Sequence, residues 1–444
     1  MTDKPDYDAL RASDTTIARL RALHPPMIDL STGRVKRLLA ALGDPHLKMG
    51  PVIHVAGTNG KGSTCAYLRA IGEAAGLKVH VTASPHLVRF AERIRIAGRI
   101  IGEDELAVRI DEVEAANAGQ PISFFEITQA LAFHAFAQDP GDLVVVEVGL
   151  GGRFDGTNVF DAPAVTVITP VDYDHLEMLG PELSKIAWEK AGIMRPGRPA
   201  VVARQMDEAF EVIEREAAAL GAPVTLMGRD FDAYEQHGRL VVQLADRLLD
   251  LPAPALFGGH QFANAGLAVA AIGAFADPRI DEIAIARGIA GAVWPGRFQP
   301  LTKGPLADIA RPRGSDLWLD GAHNPHAGAA LAESLARLSA RDGRPVVLIV
   351  GMLGRKDAAG FFRHLGPLGP RVFTTSFESP NATLPEDLAA AARAAGLDAI
   401  VADGVTAALT QALAAPGPAP HVMICGSLHF VGDVLAMSPE TWPT

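Results

Sequence analysis

Apolar positions along the chain switch between two periods, and the switching lays out a fold before any single residue is weighed. Short β-branched and apolar runs have the length and composition of buried strands: V-I-H-V-A at 52–56, K-V-H-V-T-A-S at 78–84, L-V-V-V-E-V at 143–148, A-V-T-V-I-T-P-V at 164–171 and P-A-V-V-A-R at 199–204. Between them lie stretches with helical spacing, 64–75 ended by Gly76, then 124–138 and 182–191. This alternation predicts an α/β domain around a mostly parallel sheet. From 228 to 252 the pattern turns to polar alternation about an H-G-R turn at 237–239, which predicts a small β excursion.

Pro and Gly crowd G-A-V-W-P-G-R-F-Q-P at 291–300, and a second alternation begins beyond it. Strands are predicted at 316–322, 345–353, 371–377, 399–403 and 421–427, with helices from 326, 357 and 385 and another before the last strand. The expectation is two doubly wound α/β domains, 1–294 and 301–444, joined by a linker at 295–300. No repeat of 20 to 50 residues and no low-complexity tail interrupts this plan.

Composition narrows the function. The 444 residues have room for two such cores. Lys and Arg number 40 against 51 Asp and Glu, a net charge of −11, which argues against nucleic-acid and membrane-surface partners because both demand excess positive charge. Two cysteines, Cys65 and Cys425, one in each half, make a disulfide framework improbable and fit a reducing cytoplasm. The opening M-T-D-K-P-D-Y-D lacks a basic segment followed by an apolar one, and the longest apolar runs fall short of a membrane span. A soluble, cytoplasmic protein is expected.

The chemistry is concentrated at V-I-H-V-A-G-T-N-G-K-G-S-T, residues 52–64, where a strand runs into a glycine-rich turn, a lysine and two hydroxyl residues that open a helix. Gly57, Gly60 and Gly62 allow backbone N–H groups to turn inward, and the helix start adds its dipole. Lys61 supplies a mobile charge, and Ser63 or Thr64 a hydroxyl for phosphate or Mg²⁺. The common nucleotide-loop spacing needs a glycine six residues before the lysine, where Val55 stands, so this is a variant phosphate cradle. In open α/β sheets ligands lie beyond the carboxyl ends of strands. Ser84, Glu147, Asp172, Asp174 and His175 all fall there, and a hydroxyl, a carboxylate and an imidazole converging near Lys61 would hold a Mg²⁺ that bridges phosphates.

Seven ordered segments carry a resemblance. They are G-T-N-G-K-G-S-T, S-P-H-L-V-R-F-A-E-R-I at 84–94, E-V-G-L-G-G-R-F-D-G-T-N at 147–158, D-H-L-E-M-L-G at 174–180, E-K-A-G-I at 189–193, W-P-G-R-F at 294–298 and L-D-G-A-H-N-P-H-A at 319–327. Together they resemble the folylpolyglutamate synthase family, more closely its bacterial bifunctional dihydrofolate synthase/folylpolyglutamate synthase branch, within the Mur ligase superfamily. The resemblance runs from about Ile28 to about Gly432. It implies an N-terminal P-loop ATPase domain with a pterin site and a C-terminal Rossmann-like glutamate-ligase domain.

The resemblance also implies roles. ATP would lie on Thr58, Asn59, Gly60, Lys61, Gly62, Ser63 and Thr64, with Asn264 near the adenine and Arg297, Asp320 and His323 as further nucleotide contacts. One Mg²⁺ would sit on Ser84, Glu147 and His175. Lys190 would carry CO₂ as a carbamate and help hold a second, since a bare ammonium repels a cation whereas a carbamate offers anionic oxygens. The pterin-bearing substrate would lie against Asp29, Leu30, Ser31 and Thr32, against Ser123, Phe124, Phe125 and Glu126, and against Phe154, Asp155 and Gly156. Gly156 stands where the family usually has Ala, and Ser123 where Thr is common.

A carboxylate does not react with an amine at neutral pH, because oxide is a poor leaving group. The implied reaction first moves the γ-phosphoryl of ATP onto the carboxyl and then lets the amino group of L-glutamate displace phosphate, on dihydropteroate or a reduced folate. Lys61, Lys190 and His323 are the implied catalytic residues, the last acting once the domains close. A monomer is expected. The alternative is a peptidoglycan-precursor Mur-type ligase, disfavoured because only 56 residues precede Gly57. A small-molecule kinase would not need the second α/β domain, and a non-catalytic folate binder would not need Lys61, Glu147 and His175.

Overall fold

The apolar runs assemble into sheets in the computed structural model of the chain, which describes residues 17–24 and 31–444. The first sheet has eight strands, in the order Arg99–Ile100, Ile94–Ile96, Val79–Thr82, Leu143–Glu147, Val52–Ala56, Val165–Ile168, Ala200–Val202 and Val224–Leu226. From Val79–Thr82 onward all neighbours are parallel, and the first two strands are antiparallel additions at one edge. Every residue of Val52–Ala56 and Leu143–Glu147 is buried, which is why these strands read as unbroken apolar runs. The edge strands are two and three residues long, too short for a legible period, and no strand was expected there.

Helices fill both faces. Leu38, Leu39, Ile110, Phe133 and Phe136 pack in one core against the sheet, while Ile186, Val212 and Ile213 belong to another. The predicted excursion is a three-stranded antiparallel sheet, Asp232–Gln236, Arg239–Gln243 and Leu248–Leu251, whose first turn lies at His237–Gly238. The second large sheet has six strands, in the order Gln299–Pro300, Asp316–Leu319, His421–Cys425, Val346–Val350, Arg371–Thr374 and Ala399–Val401. All but the first are parallel, and Leu335, Leu348, Phe361, Phe362 and Met423 form its core. The fold is two doubly wound α/β domains.

The chain divides into two compact units. One comprises Met1–Ala255, Phe262–Val293 and Thr444; the other, Leu256–Gln261 and Trp294–Pro443. Among the described residues no helix is long and apolar enough to cross a membrane. In the first unit the helix Lys61–Ala74, which follows the glycine loop, is backed by the helix Glu282–Gly291 at very close range. A Cβ on Gly288 would lie 2.5 Å from the Ile71 Cα. Backbone cannot yield there as a flexible side chain would, so Gly288→Ala is expected to cost about 1–3 kcal/mol of stability by overpacking. The measurement is the urea unfolding midpoint; an unchanged midpoint contradicts the packing argument.

Candidate functional site

The strand Val52–Ala56 delivers the chain to Gly57, whose φ of 144° and crowding admit no side chain: a Cβ there would lie 1.8 Å from Thr169 Oγ1. The next residue is tied to the segment after the neighbouring strand. Thr58 N donates to Pro170 O (2.9 Å), and Thr58 Oγ1 donates to Asp172 O (2.9 Å) while accepting from Asp172 N (3.0 Å). Gly60, at φ 87°, caps the helix Lys61–Ala74 without a side-chain hydrogen bond, leaving first-turn N–H groups for an anion. Asn264, 5% exposed, presses its carboxamide on that glycine, so the expected adenine contact is a neighbour of the loop itself. Thr64 Oγ1 and Thr169 Oγ1 are buried without a protein partner. Such orphaned hydroxyls beside a cradle suit a phosphate-bearing ligand.

Two amino groups converge on one backbone oxygen. Lys61 Nζ donates to Gly57 O (3.0 Å) and to Thr58 O (3.1 Å), and Lys190 Nζ donates to the same Gly57 O (3.0 Å). Lys190 lies in the last turn of the helix Leu183–Ala191 and is only 4% exposed, so it is no solvated charge on a polar helix. Burial, and then the charge of Lys61, push its amine down to about 7.

Glu147, 6% exposed, ends its strand opposite Val55 in the register, two residues short of Gly57. Ser84 lies two residues past Thr82, which pairs with Val146, so its hydroxyl leaves the sheet at the same end. The loop that follows Ser84 is braced by Glu92, whose carboxylate accepts from the N–H groups of Leu87, Val88 and Arg89 (2.8, 2.9 and 2.6 Å). His175 begins the helix Leu176–Leu179 with Nε2 3.9 Å from Asp174 Oδ2. Among the described residues no three His, Cys, Asp or Glu side chains form a metal cage on their own. Hydroxyl, carboxylate and imidazole are donor types that a divalent cation accepts, and a site built on Ser84, Glu147 and His175 would need further oxygens from a ligand.

The residues expected to hold the acceptor form a second group. Asp29 and Leu30 lie outside the described residues. Ser31 and Thr32 are partly buried at the start of the helix Gly33–Ala41. Ser123 and Glu126 form a capping box for the helix Phe124–Ala137: Ser123 N donates to Glu126 Oε2 (2.9 Å) and Glu126 N to Ser123 Oγ (3.3 Å). Arg34 Nε also donates to Glu126 Oε2 (3.0 Å), which leaves Oε1 buried and unpaired. The local logic of S-F-F-E is thus structural, with one carboxylate oxygen to spare. Phe124 packs edge-on to Phe90 at 6.0 Å.

The Phe125 ring covers Gly149, and a Cβ on Gly156 would meet it at an ordinary 3.4 Å, so alanine fits that position too. Asp155, 4% exposed, accepts from Thr157 N (2.9 Å) and Thr157 Oγ1 (2.6 Å) on Oδ1 and from Leu150 N (2.9 Å) on Oδ2. Burial pushes its carboxyl up against those donors. Expected as a substrate contact, Asp155 is also the brace of its own loop. Phe154 is 38% exposed, with its ring 6.2 Å from Trp188, over which Arg153 lies at 3.9 Å.

In the second unit Asp320 accepts from Phe298 N (2.8 Å) and Ala322 N (2.7 Å), and burial pushes its carboxyl up although Arg297 opposes the shift. His323 Nδ1 faces Gly321 O at 2.7 Å; a carbonyl only accepts, so this nitrogen carries the proton and Nε2 is the basic one. His260 is pushed down to about 4 by burial and by the charges of His326 and Arg297. Sequence reasoning assigned no role to His260, or to His326 although it lies within the segment 319–327. Arg297 neighbours the segment that carries Asp320 and His323: a Cβ on Gly321 would lie 2.8 Å from Arg297 Nη1, and the charges of Arg297 and His323 both act on Asp320.

This loop, these strand ends and two doubly wound domains define an ATP-dependent ligase of the Mur class. Residues 55–272 match the model of the Mur ligase middle domain, and residues 296–428 that of the Mur ligase glutamate ligase domain. The chain is 36% identical over 431 residues to the dihydrofolate synthase/folylpolyglutamate synthase of Escherichia coli, covering 94% of each. It is 32% identical to the folylpolyglutamate synthase of Lacticaseibacillus casei, covering 90% of this chain and 92% of that one. The structure is similar to that of E. coli FolC in complex with DHPP and ADP, with a TM-score of 0.84 and 35% identity over 95% of this chain and 96% of the other. It is also similar to a bifunctional folylpolyglutamate synthase/dihydrofolate synthase with Mn, AMPPNP and L-glutamate bound, with a TM-score of 0.83 and 35% identity over 95% of this chain and 97% of the other. The chain belongs to the dihydrofolate synthase/folylpolyglutamate synthase family. These relatives are folate ligases, and the peptidoglycan alternative is set aside.

The buried Lys190 has a consequence for stability. Its folded pKa lies below the unfolded value, so between about 7 and the ordinary lysine range the unfolded chain binds more protons and stability rises with pH. In CO₂-free buffer without nucleotide, Lys190→Met is expected to flatten the rise in unfolding free energy between about pH 7 and about pH 9. Equal slopes for the two proteins contradict the burial of an unmodified amine.

Proposed function

We propose that the chain adds L-glutamate to dihydropteroate and to reduced folates, activating the acceptor carboxyl as an acyl phosphate and releasing ADP and phosphate. The observation that carries this reading is the pair of amino groups on the Gly57 carbonyl at the mouth of the loop. A carbonyl is a weak partner for two amino groups in a site that burial makes unfavourable for the second positive charge, and a nucleotide phosphate is the anion such a mouth favours. What the relatives hold supports the choice of substrates: DHPP and ADP in the E. coli enzyme, and AMPPNP with L-glutamate in a second bifunctional enzyme.

In this reading Lys61 and the first-turn N–H groups of Lys61–Ala74 take up the charge that develops on the transferring phosphoryl group. Ser84, Glu147 and His175 would hold a divalent cation, which would neutralise phosphate charge. Lys190 is assigned a carbamate. Its amine, brought to about 7, is neutral often enough to attack CO₂, forming an N–C bond and losing one proton, and the two new oxygens provide for a second cation. Arg297, Asp320 and His323 are assigned to the nucleotide. Phe124, Phe125 and Gly156 would wall the flat acceptor, with Glu126 Oε1 and Asp155 receiving its N–H groups. The two cysteines are buried free thiols, which supports a reducing cytoplasm as the place of action.

A phosphate-release assay with ATP and L-glutamate tests the reading directly. Dihydropteroate and tetrahydrofolate are expected to be acceptors and a peptidoglycan precursor is not; release with the precursor alone overturns the assignment. Lys61→Ala is expected to lower kcat/KM by at least about a hundredfold, the scale of losing one preorganised charge stabiliser, in a protein that still melts cooperatively. A folded Lys61→Ala protein with the original rate of ADP formation removes the loop from the mechanism.

A further inference from the structure

His54 is the middle residue of the strand that leads into the glycine loop, a position where an apolar side chain is the rule. Its register partners are Val146 and Thr166 on the two neighbouring strands, and it is 1% exposed. The ring stands edge-on to Phe160, with centroids 5.5 Å apart, and Phe160 in turn packs on Phe133. A buried imidazole in such a place is costly unless it hydrogen-bonds, and only one of its nitrogens does. His54 Nε2 lies 2.9 Å from Thr157 Oγ1, while Nδ1 is buried without a partner.

The direction of that bond follows from the groups beyond it. Thr157 Oγ1 donates its single hydrogen to Asp155 Oδ1 at 2.6 Å, so it accepts from His54, and Nε2 carries the proton. Burial, with the charge of Arg195 adding to it, pushes His54 down to about 3, which keeps the ring neutral with that one N–H. The result is a one-way chain from the nucleotide-loop strand through His54 and Thr157 to the carboxylate that also braces Leu150 N and Thr157 N.

We propose that His54 is a positioning residue for the acceptor: by donating to Thr157 Oγ1 it fixes the hydroxyl that aims the Asp155 carboxylate, and so tunes acceptor affinity without touching the acceptor. The inference rests on the reading above that the loop 149–157 lines the acceptor pocket. Loss of the donor frees the threonine hydroxyl to rotate and lets Asp155 turn toward its remaining loop donors, which weakens acceptor binding but leaves phosphoryl transfer at Lys61 alone.

The test is steady-state kinetics with dihydropteroate and ATP varied in turn. His54→Leu is expected to raise KM for dihydropteroate by roughly tenfold, the scale of one buried hydrogen bond, with kcat and KM for ATP within about twofold of the parent. His54→Gln, whose amide N–H reaches a similar point, should recover most of the loss, and His54→Leu should add nothing in a Thr157→Val background. Asp155→Asn separates the two readings. If it raises KM for dihydropteroate while His54→Leu does not, the pocket stands and the role of His54 falls. If neither variant changes that KM, the pocket reading itself falls. Equal losses for both substrates in His54→Leu reduce His54 to a structural residue and overturn the proposal. Should His54→Leu not fold, Thr157→Val against Thr157→Ser makes the same comparison, with serine expected to behave as the parent and equal KM values for the two overturning the chain.

Discussion

Two buried or partly buried amino groups sharing the carbonyl of Gly57 set the terms for the rest of the first unit. The sharing requires Gly57 to approach Thr169 closely enough to exclude a Cβ, which fixes the spacing of the strands Val52–Ala56 and Val165–Ile168 behind the loop. It also requires the helix Leu183–Ala191 to end with Lys190 turned inward. Glycines secure that end: a Cβ on Gly152 would lie 2.6 Å from Glu189 O, and one on Gly192 2.3 Å from the Arg153 Cβ. Asn158 closes the same junction, donating to Arg153 O (2.8 Å) and Gly192 O (3.1 Å) while accepting from Arg195 Nη2 (2.7 Å). The segments 147–158 and 189–193 are thus one structural device that presents a lysine to the loop.

Electrostatics then favour anions at this point. A neutral Lys190 beside a charged Lys61 is the arrangement burial prefers when no anion is present, and a phosphate or a carbamate relieves both costs at once. The same strand that forms the glycine loop reaches the loop 149–157 through His54 and Thr157, so both loops of the unit are tied to one central strand.

Much of this was legible in the chain. The glycine loop is contiguous, so its chemistry can be read from thirteen neighbouring residues, and the unbroken apolar runs announced buried parallel strands because both faces are covered. Lys190 was not legible from spacing: E-K-A-G-I looks like the polar end of a helix, and only close packing against Gly152 and its neighbours buries it. The S-F-F-E segment was read through the acceptor, whereas half of its chemistry is a local capping box visible in the spacing of Ser123 and Glu126. Asp155 was read only as a contact of the acceptor, because backbone and hydroxyl donors such as Leu150 N and Thr157 Oγ1 do not announce their acceptor in the sequence. His54 gave no signal, since one polar residue inside a strand declares neither its partner nor its direction. The edge strands at 94–100 and the precise ends of elements depend on pairing, which local sequence does not encode.

The most direct test of the central claim is carbon NMR of the protein equilibrated with ¹³C-bicarbonate, with and without a nonhydrolysable ATP analogue and a divalent cation. A carbamate carbon resonance is predicted that is distinct from bicarbonate, strengthens when nucleotide and metal are present, and disappears in Lys190→Ala. A spectrum showing bicarbonate alone under every condition, from protein that binds the nucleotide normally, would contradict the account of two amino groups resolved by bound anions.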